Sequence, residues 1–219
     1  MVMLASSAQR VQTGDLLFVH ERVGGGIGAA IEATGRATTA WMRSHGTLTT
    51  DETASHVGIA WRKTPDGQLF VVEALEPVVR LTPATSFFAV GASSGATFFL
   101  GCITDDRMRQ ARVAAAEVAL AQVGKPYADY FQAPPDSFYC SSLVEYAFSQ
   151  ALGGVPHPFN ALDFVLLFEP IHFWEEYYAE RKRTLPVGMT GSNPTLLLHS
   201  PAVRFRRYRA DLEEEWAQW

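Results

Sequence analysis

Three side chains have the types and surroundings that acyl transfer requires. Cys140 opens the stretch Cys140-Ser141-Ser142-Leu143-Val144-Glu145-Tyr146-Ala147-Phe148, in which Leu143, Val144, Ala147 and Phe148 recur at helical spacing. That face packs inward and leaves the cysteine in the first helical turn. There, unpaired amide N–H groups and the positive end of the helix dipole favour thiolate over thiol, and the thiolate is the nucleophile. The same amides suit an oxyanion developing on an attacked carbonyl. A buried cysteine is more often an inert small hydrophobe, so the chemical reading needs a base elsewhere in the chain.

His56 supplies one. In Ser55-His56-Val57-Gly58-Ile59-Ala60-Trp61 the residues Val57, Ile59 and Trp61 alternate with His56, Gly58 and Ala60, which is strand spacing. After a Pro65-Asp66-Gly67 turn comes a second apolar run, Leu69 to Ala74, interrupted by Glu73. An acid in an apolar strand is costly without a partner, and across a hairpin His56 is the natural one. A carboxylate there holds an imidazole in one tautomer, completing a nucleophile, base and orienter.

The elements that must position these residues follow from pattern and punctuation. Asp15 to Val19 is expected as a short strand, followed by a glycine-rich start to a short helix ending near Gly35. The glycines miss the final position of a dinucleotide-binding fingerprint, so that function is rejected. Residues 36–54 are Thr-rich and expected as a loop covering the site. Val78 to Leu81 and Thr97 to Ile103 are expected strands, and Asp105 to Val123 a long helix stopped by Gly124-Lys125-Pro126. Asn160 to Glu169 is expected as a helix, and the aromatic group Phe173 to Tyr178 as core or groove wall on or near another. Residues 184–200 are expected as loop, Val203 to Tyr208 as an edge strand with outward arginines, and Asp211 to Trp219 as a short polar helix.

In chain order, Thr13-Gly14-Asp15-Leu16-Leu17, Ser55-His56-Val57-Gly58-Ile59, Val72-Glu73-Ala74, Gly124-Lys125-Pro126-Tyr127 and Tyr139-Cys140-Ser141 resemble the circularly permuted NlpC-like amidases, papain-fold proteins of the YiiX/YebB-like group. The resemblance runs from about Gly14 to Gly191-Ser192-Asn193-Pro194. In ordinary papain-like enzymes the cysteine precedes the histidine; here it follows, as permutation produces. The resemblance implies Cys140 as nucleophile, His56 as base and then acid, and Glu73 as orienter. It implies substrate or oxyanion contacts from Tyr127, Ser55, Tyr139 and Asp15. It also implies an amide substrate, most naturally in a cell-wall-type peptide. The family often has an acid where this chain has Ser142, which leaves the substrate preference open. Two alternatives stand beside that reading. One is a lipid acyltransferase or thioesterase resembling the lecithin:retinol acyltransferase branch, with apolar stretches at Phe87-Phe88 and Phe164 to Phe168 for a lipid chain. The other is a catalytically silent binding module.

The expected fold is α+β, an antiparallel and partly barrel-like sheet with the Cys140 helix packed against it, and length and composition agree with a single domain over residues 1–219. The chain is 47% apolar and 19% charged, which is globular. A net charge of −5 argues against nucleic acid as a partner. Two cysteines are too few for a disulfide framework, and Cys102 lies in an apolar strand where a core role is expected. His20, His45, His157, His172 and His199 have no second ligand at metal spacing, so neither metal nor cofactor is expected. The arginines 204, 206, 207 and 209 are expected as a solvated edge. No membrane-spanning run or secretory leader is seen, so the expected location is cytoplasmic, or the cell envelope if a leader has been removed.

Overall fold

Apolar residues alternating along six strands build one antiparallel sheet, and its two faces bury different sets of side chains. A computed structural model describes residues 11–20, 26–46, 48, 50–64, 67–93, 95–131, 135–159 and 165–208. The strands are β1 (Leu16–His20), β2 (His56–Trp61), β3 (Phe70–Leu75), β4 (Val78–Pro83), β5 (Thr97–Ile103) and β6 (Val203–Tyr208). Their order across the sheet is β4-β3-β2-β1-β5-β6. The helices are α1 (Ile27–Ser44), α2 (Ala84–Ser93), α3 (Asp106–Leu120), α4 (Cys140–Ala151), α5 (Ile171–Glu180) and α6 (Pro194–Leu198).

One face contributes Leu16, Phe18, Val57, Ile59, Val72 and Phe99 to the main core, where they meet Ala115, Ala116 and Ala119 of α3 and Leu143, Val144 and Phe148 of α4. The other contributes Leu17, Val19, Ala60, Val71 and Leu100, covered by Ala84 and Phe87 of α2. Alternation of period two sends neighbouring residues to opposite faces. It also puts His56 and Glu73 on the α2 face, where the His56 ring lies 6.2 Å from that of Phe87.

Several expectations are corrected here. The sheet is open, not barrel-like: β4 and β6 form its two edges. Exposed Arg204, Arg206 and Arg207 on β6 put charge along one edge, a known bar to further strand pairing. Helix α1 runs on through Ser44, so the first part of the expected 36–54 loop is helical. Its buried Ala30, Thr34, Thr38 and Met42 recur every four residues, and Thr38 Oγ1 donates to the Thr34 carbonyl at 2.9 Å. Threonine hydroxyls satisfied this way tolerate a helix that propensity alone disfavours. Helix α6 lies within the expected 184–200 loop, and α2 is a further helix between β4 and β5. Of the helix expected at Asn160 to Glu169, residues 165–169 are not helical, and 160–164 lie outside the described residues. The helix expected at Asp211 to Trp219, the tip of the Pro65-Asp66-Gly67 turn, and Arg209 also lie outside them.

Candidate active site

Cys140 is the first residue of α4, and the chain entering it is fixed on both sides. Phe138 N–H donates to the Pro126 carbonyl and Ala128 N–H to the Phe138 carbonyl, at 3.1 and 2.9 Å. The residue before the cysteine is held by Ser142: its N–H donates to Ser142 Oγ at 3.0 Å, and Ser142 Oγ donates to its carbonyl at 2.9 Å. An acid at Ser142's position would be unable to make that second bond while ionised, so here the serine serves as a local cap. Leu143, Val144, Ala147 and Phe148 are fully buried, pinning the helix from below.

His56 begins β2, and its approach is set by Ser55, whose N–H and Oγ both donate to the Val19 carbonyl. The imidazole Nε2 lies 2.6 Å from Glu73 Oε2 on β3. The Cys140 sulfur acts on the same imidazole and favours its charged form. With Nε2 engaged by the carboxylate, Nδ1 is the atom left for sulfur. The second oxygen of Glu73 accepts from Arg80 Nε at 3.0 Å and Thr82 Oγ1 at 2.6 Å, both from β4. Gly58 keeps this face open: a Cβ there would meet Val71 Cγ1 at 2.4 Å and crowd the Glu73 Cβ at 3.3 Å.

Electrostatics follow from these contacts. Burial opposes charge on His56, but the Cys140 sulfur and the Glu73 carboxylate outweigh it and hold the imidazole well above its ordinary range. Burial likewise opposes charge on Glu73, and the His56 bond, Thr82 and Arg80 together hold its carboxyl below the usual range. The site favours an imidazolium held against the Glu73 carboxylate, with the Cys140 sulfur adding to that preference.

The remaining expected residues divide. Tyr127 is close enough to Cys140 to feel the charge of its sulfur, which with burial pushes the phenol well up. It is therefore a neutral O–H donor at physiological pH. Tyr139 is buried, and its phenol is pushed up to about 12 chiefly by burial. Ser55 is spent on the backbone. Asp15 is not brought to the site. It precedes Leu16, which pairs with Ile59, whereas His56 pairs with Val19 at the opposite end of β1. There burial raises the Asp15 carboxyl to about 6, against the bond from Gln12 N–H and the charge of Arg112. Asp15 thus supports a turn and not a substrate. Arg80 and Thr82 were missed; alternation with Val79 and Leu81 would have placed them on the Glu73 face.

Beside the triad, but lined by none of its three residues, is a cavity of about 990 Å³. Its lining includes Tyr139, which precedes Cys140, and Ser142 in the first turn of α4. Among the described residues no three His, Cys, Asp or Glu side chains group as metal ligands. No helix of the described residues is long and apolar enough to cross a membrane. Phe87 and Phe88, considered for a lipid chain, are occupied in packing: both rings contact Phe98, at 6.0 and 4.9 Å.

The structure thus holds a cysteine at a helix N-terminus, a histidine opening a strand and, in contact with that histidine, an acid on the next strand. The sequence profile of the permuted papain-like amidase enzymes (YaeF/YiiX, C92 family) matches residues 10–205, and the chain belongs to that family. Among solved structures it is similar to the metalloprotein YiiX from Escherichia coli O157:H7, at 20% identity with a TM-score of 0.59. That likeness covers 89% of this chain and 96% of the other, and it shows the permuted papain-like fold. No curated protein matches the sequence. Family membership supports an amidase of the cysteine-hydrolase type.

Proposed function

We propose that this protein hydrolyses an amide bond in a peptide through a thioester on Cys140. The observation that carries the reading is the 2.6 Å contact of His56 Nε2 with Glu73, which leaves Nδ1 as the ring atom free to serve Cys140. Glu73 fixes the tautomer, and Arg80 and Thr82 fix Glu73. His56 takes the thiol proton, and the sulfur attacks the carbonyl carbon. The N–H groups at the start of α4 and the neutral Tyr127 phenol face the developing oxyanion. Imidazolium His56 then protonates the departing amine. Water, deprotonated by the same ring, attacks the thioester, releasing the carboxylic acid and restoring the thiol. Cell-wall-type peptides fit this chemistry as substrates.

The test is amine release from a library of short peptides, including D-amino and γ-linked ones, by the wild type, Cys140→Ala and His56→Ala. Release by the wild type alone supports the proposal. Release that survives Cys140→Ala refutes it.

A further inference from the structure

Glu145 lies one and a half turns beyond Cys140 on α4 and is only 7% exposed. It lines the 990 Å³ cavity, yet neither carboxyl oxygen has a hydrogen-bond partner among the described residues. The donor nearest to helping is the Phe159 backbone N–H, which lowers the group's pKa slightly against a larger effect of burial. A carboxyl buried without a partner costs stability, since its desolvation is uncompensated. The mechanism above makes no use of it. A group of this kind at the wall of a cavity next to a nucleophile is best explained by a ligand that completes it.

The ligand's chemistry follows from what the cavity offers. Burial raises the Glu145 carboxyl to about 8, so at neutral pH it is a neutral acid with one O–H donor and one C=O acceptor on the same edge. His157, Lys182 and Arg183 line the same cavity, as do the phenols of Tyr139 and Tyr146. The phenols of Tyr130 and Tyr178 complete its titratable groups. Neither Lys182 nor Arg183 pairs with Glu145, whose carboxyl oxygens have no hydrogen-bond partner among the described residues. An ammonium group entering would have to ionise the acid, bury both charges and face the basic wall. A trans peptide unit points its N–H and C=O in opposite directions and meets one half of the acid at best. A primary carboxamide presents both on one edge. We infer that the cavity is a substrate subsite for a neutral carboxamide, read by the paired donor and acceptor of Glu145. The substrate assignment rests on the reading of Cys140 as the acyl-transfer centre; the binding assignment does not.

The test measures binding to the Cys140→Ala protein by calorimetry, with N-acetyl-Gln-Gly, N-acetyl-Glu-Gly and N-acetyl-Lys-Gly as probes. The glutamine probe should bind best at neutral pH. Its affinity should fall about tenfold as pH rises through about 8, where the acid loses its donor. Adding Glu145→Gln, which keeps a donor and an acceptor, should retain binding and abolish the pH dependence. Adding Glu145→Leu should lose about tenfold. Tightest binding of the lysine probe, strengthening above pH 8 and lost in Glu145→Gln, would overturn the inference in favour of a cation site. Glutamine-probe affinity unchanged by Glu145→Leu, or no binding of any probe, overturns it too. Because turnover is not the readout, an inert Cys140 would sink the proposed reaction without touching this result.

Discussion

Replacing Glu73 by glutamine should be more damaging to Cys140 chemistry than removing the side chain altogether. The carboxylate divides its oxygens, Oε2 toward His56 at 2.6 Å and Oε1 toward Arg80 and Thr82 at 3.0 and 2.6 Å. A glutamine must choose which group faces which. Pointing its carbonyl at β4 keeps both donors satisfied, whereas the reverse forfeits a charge-assisted bond from Arg80 worth about 1.5–3 kcal/mol. The NH₂ group then faces His56 Nε2, which must become an acceptor. The ring proton moves to Nδ1, the atom left to serve sulfur, and the base is blocked. A misplaced tautomer of this kind costs about 10⁴ in the serine triads, or about 5.5 kcal/mol of barrier. Glu73→Ala leaves the ring free to take either tautomer, so its loss should be nearer 10². The assay is the burst of nitrophenol on acylation of Cys140 by p-nitrophenyl acetate, with thermal melts to check folding. A folded Glu73→Gln protein that acylates within tenfold of wild type would refute the reasoning, as would a rate above that of Glu73→Ala.

Two further outcomes are expected. The folded-state carboxyl of Glu145 is raised from 4.5 to about 8, so the folded protein holds a proton that the unfolded chain releases. Stability linked to this group is therefore present below pH 4.5 and lost as pH rises toward 8. Glu145→Gln should leave urea stability nearly unchanged in acid and raise it by about 3–5 kcal/mol above pH 8; an advantage that shrinks with pH would contradict this. Cys102 is partly exposed, but burial and the nearby Asp15 push its thiol up to about 11. At neutral pH its thiolate fraction is about 10⁻⁴. Cys102→Ser should leave the stoichiometry of rapid iodoacetamide labelling unchanged, as peptide mapping would show.

How much of this was legible in the sequence depended on whether each residue lay on a strongly periodic element. Cys140, His56 and Glu73 did, and alternation along β2 and β3 put the last two on one face. Asp15 also lay at a strand start, but period two says nothing about which end of a neighbouring strand comes near, and pairing of Leu16 with Ile59 carried it away from His56. Helix α1 was cut short because its threonines argue for loop. What keeps it helical is distant in sequence: Asn193 Nδ2 donates to Thr38 Oγ1 at 2.8 Å, and Thr34 Oγ1 donates to the Glu169 carbonyl at 3.1 Å. Glu145 was passed over because an acid amid a helical apolar stripe looks like ordinary surface. The chain that walls the same cavity, including Leu185 and Met189, lies far ahead in sequence. A partly barrel-like sheet is the expectation, whereas the structure has an open one with β4 and the arginine-bearing β6 at its edges.

The most direct test of the central claim is the rate of Cys140 alkylation by iodoacetamide across pH, in wild type and in His56→Ala. If Cys140 and His56 act as a pair, the wild type reacts faster than free cysteine at mildly acidic and neutral pH, and His56→Ala loses that excess. Identical profiles in the two proteins, with the variant folded, would show that His56 does not activate the sulfur and that the proposed centre is wrong.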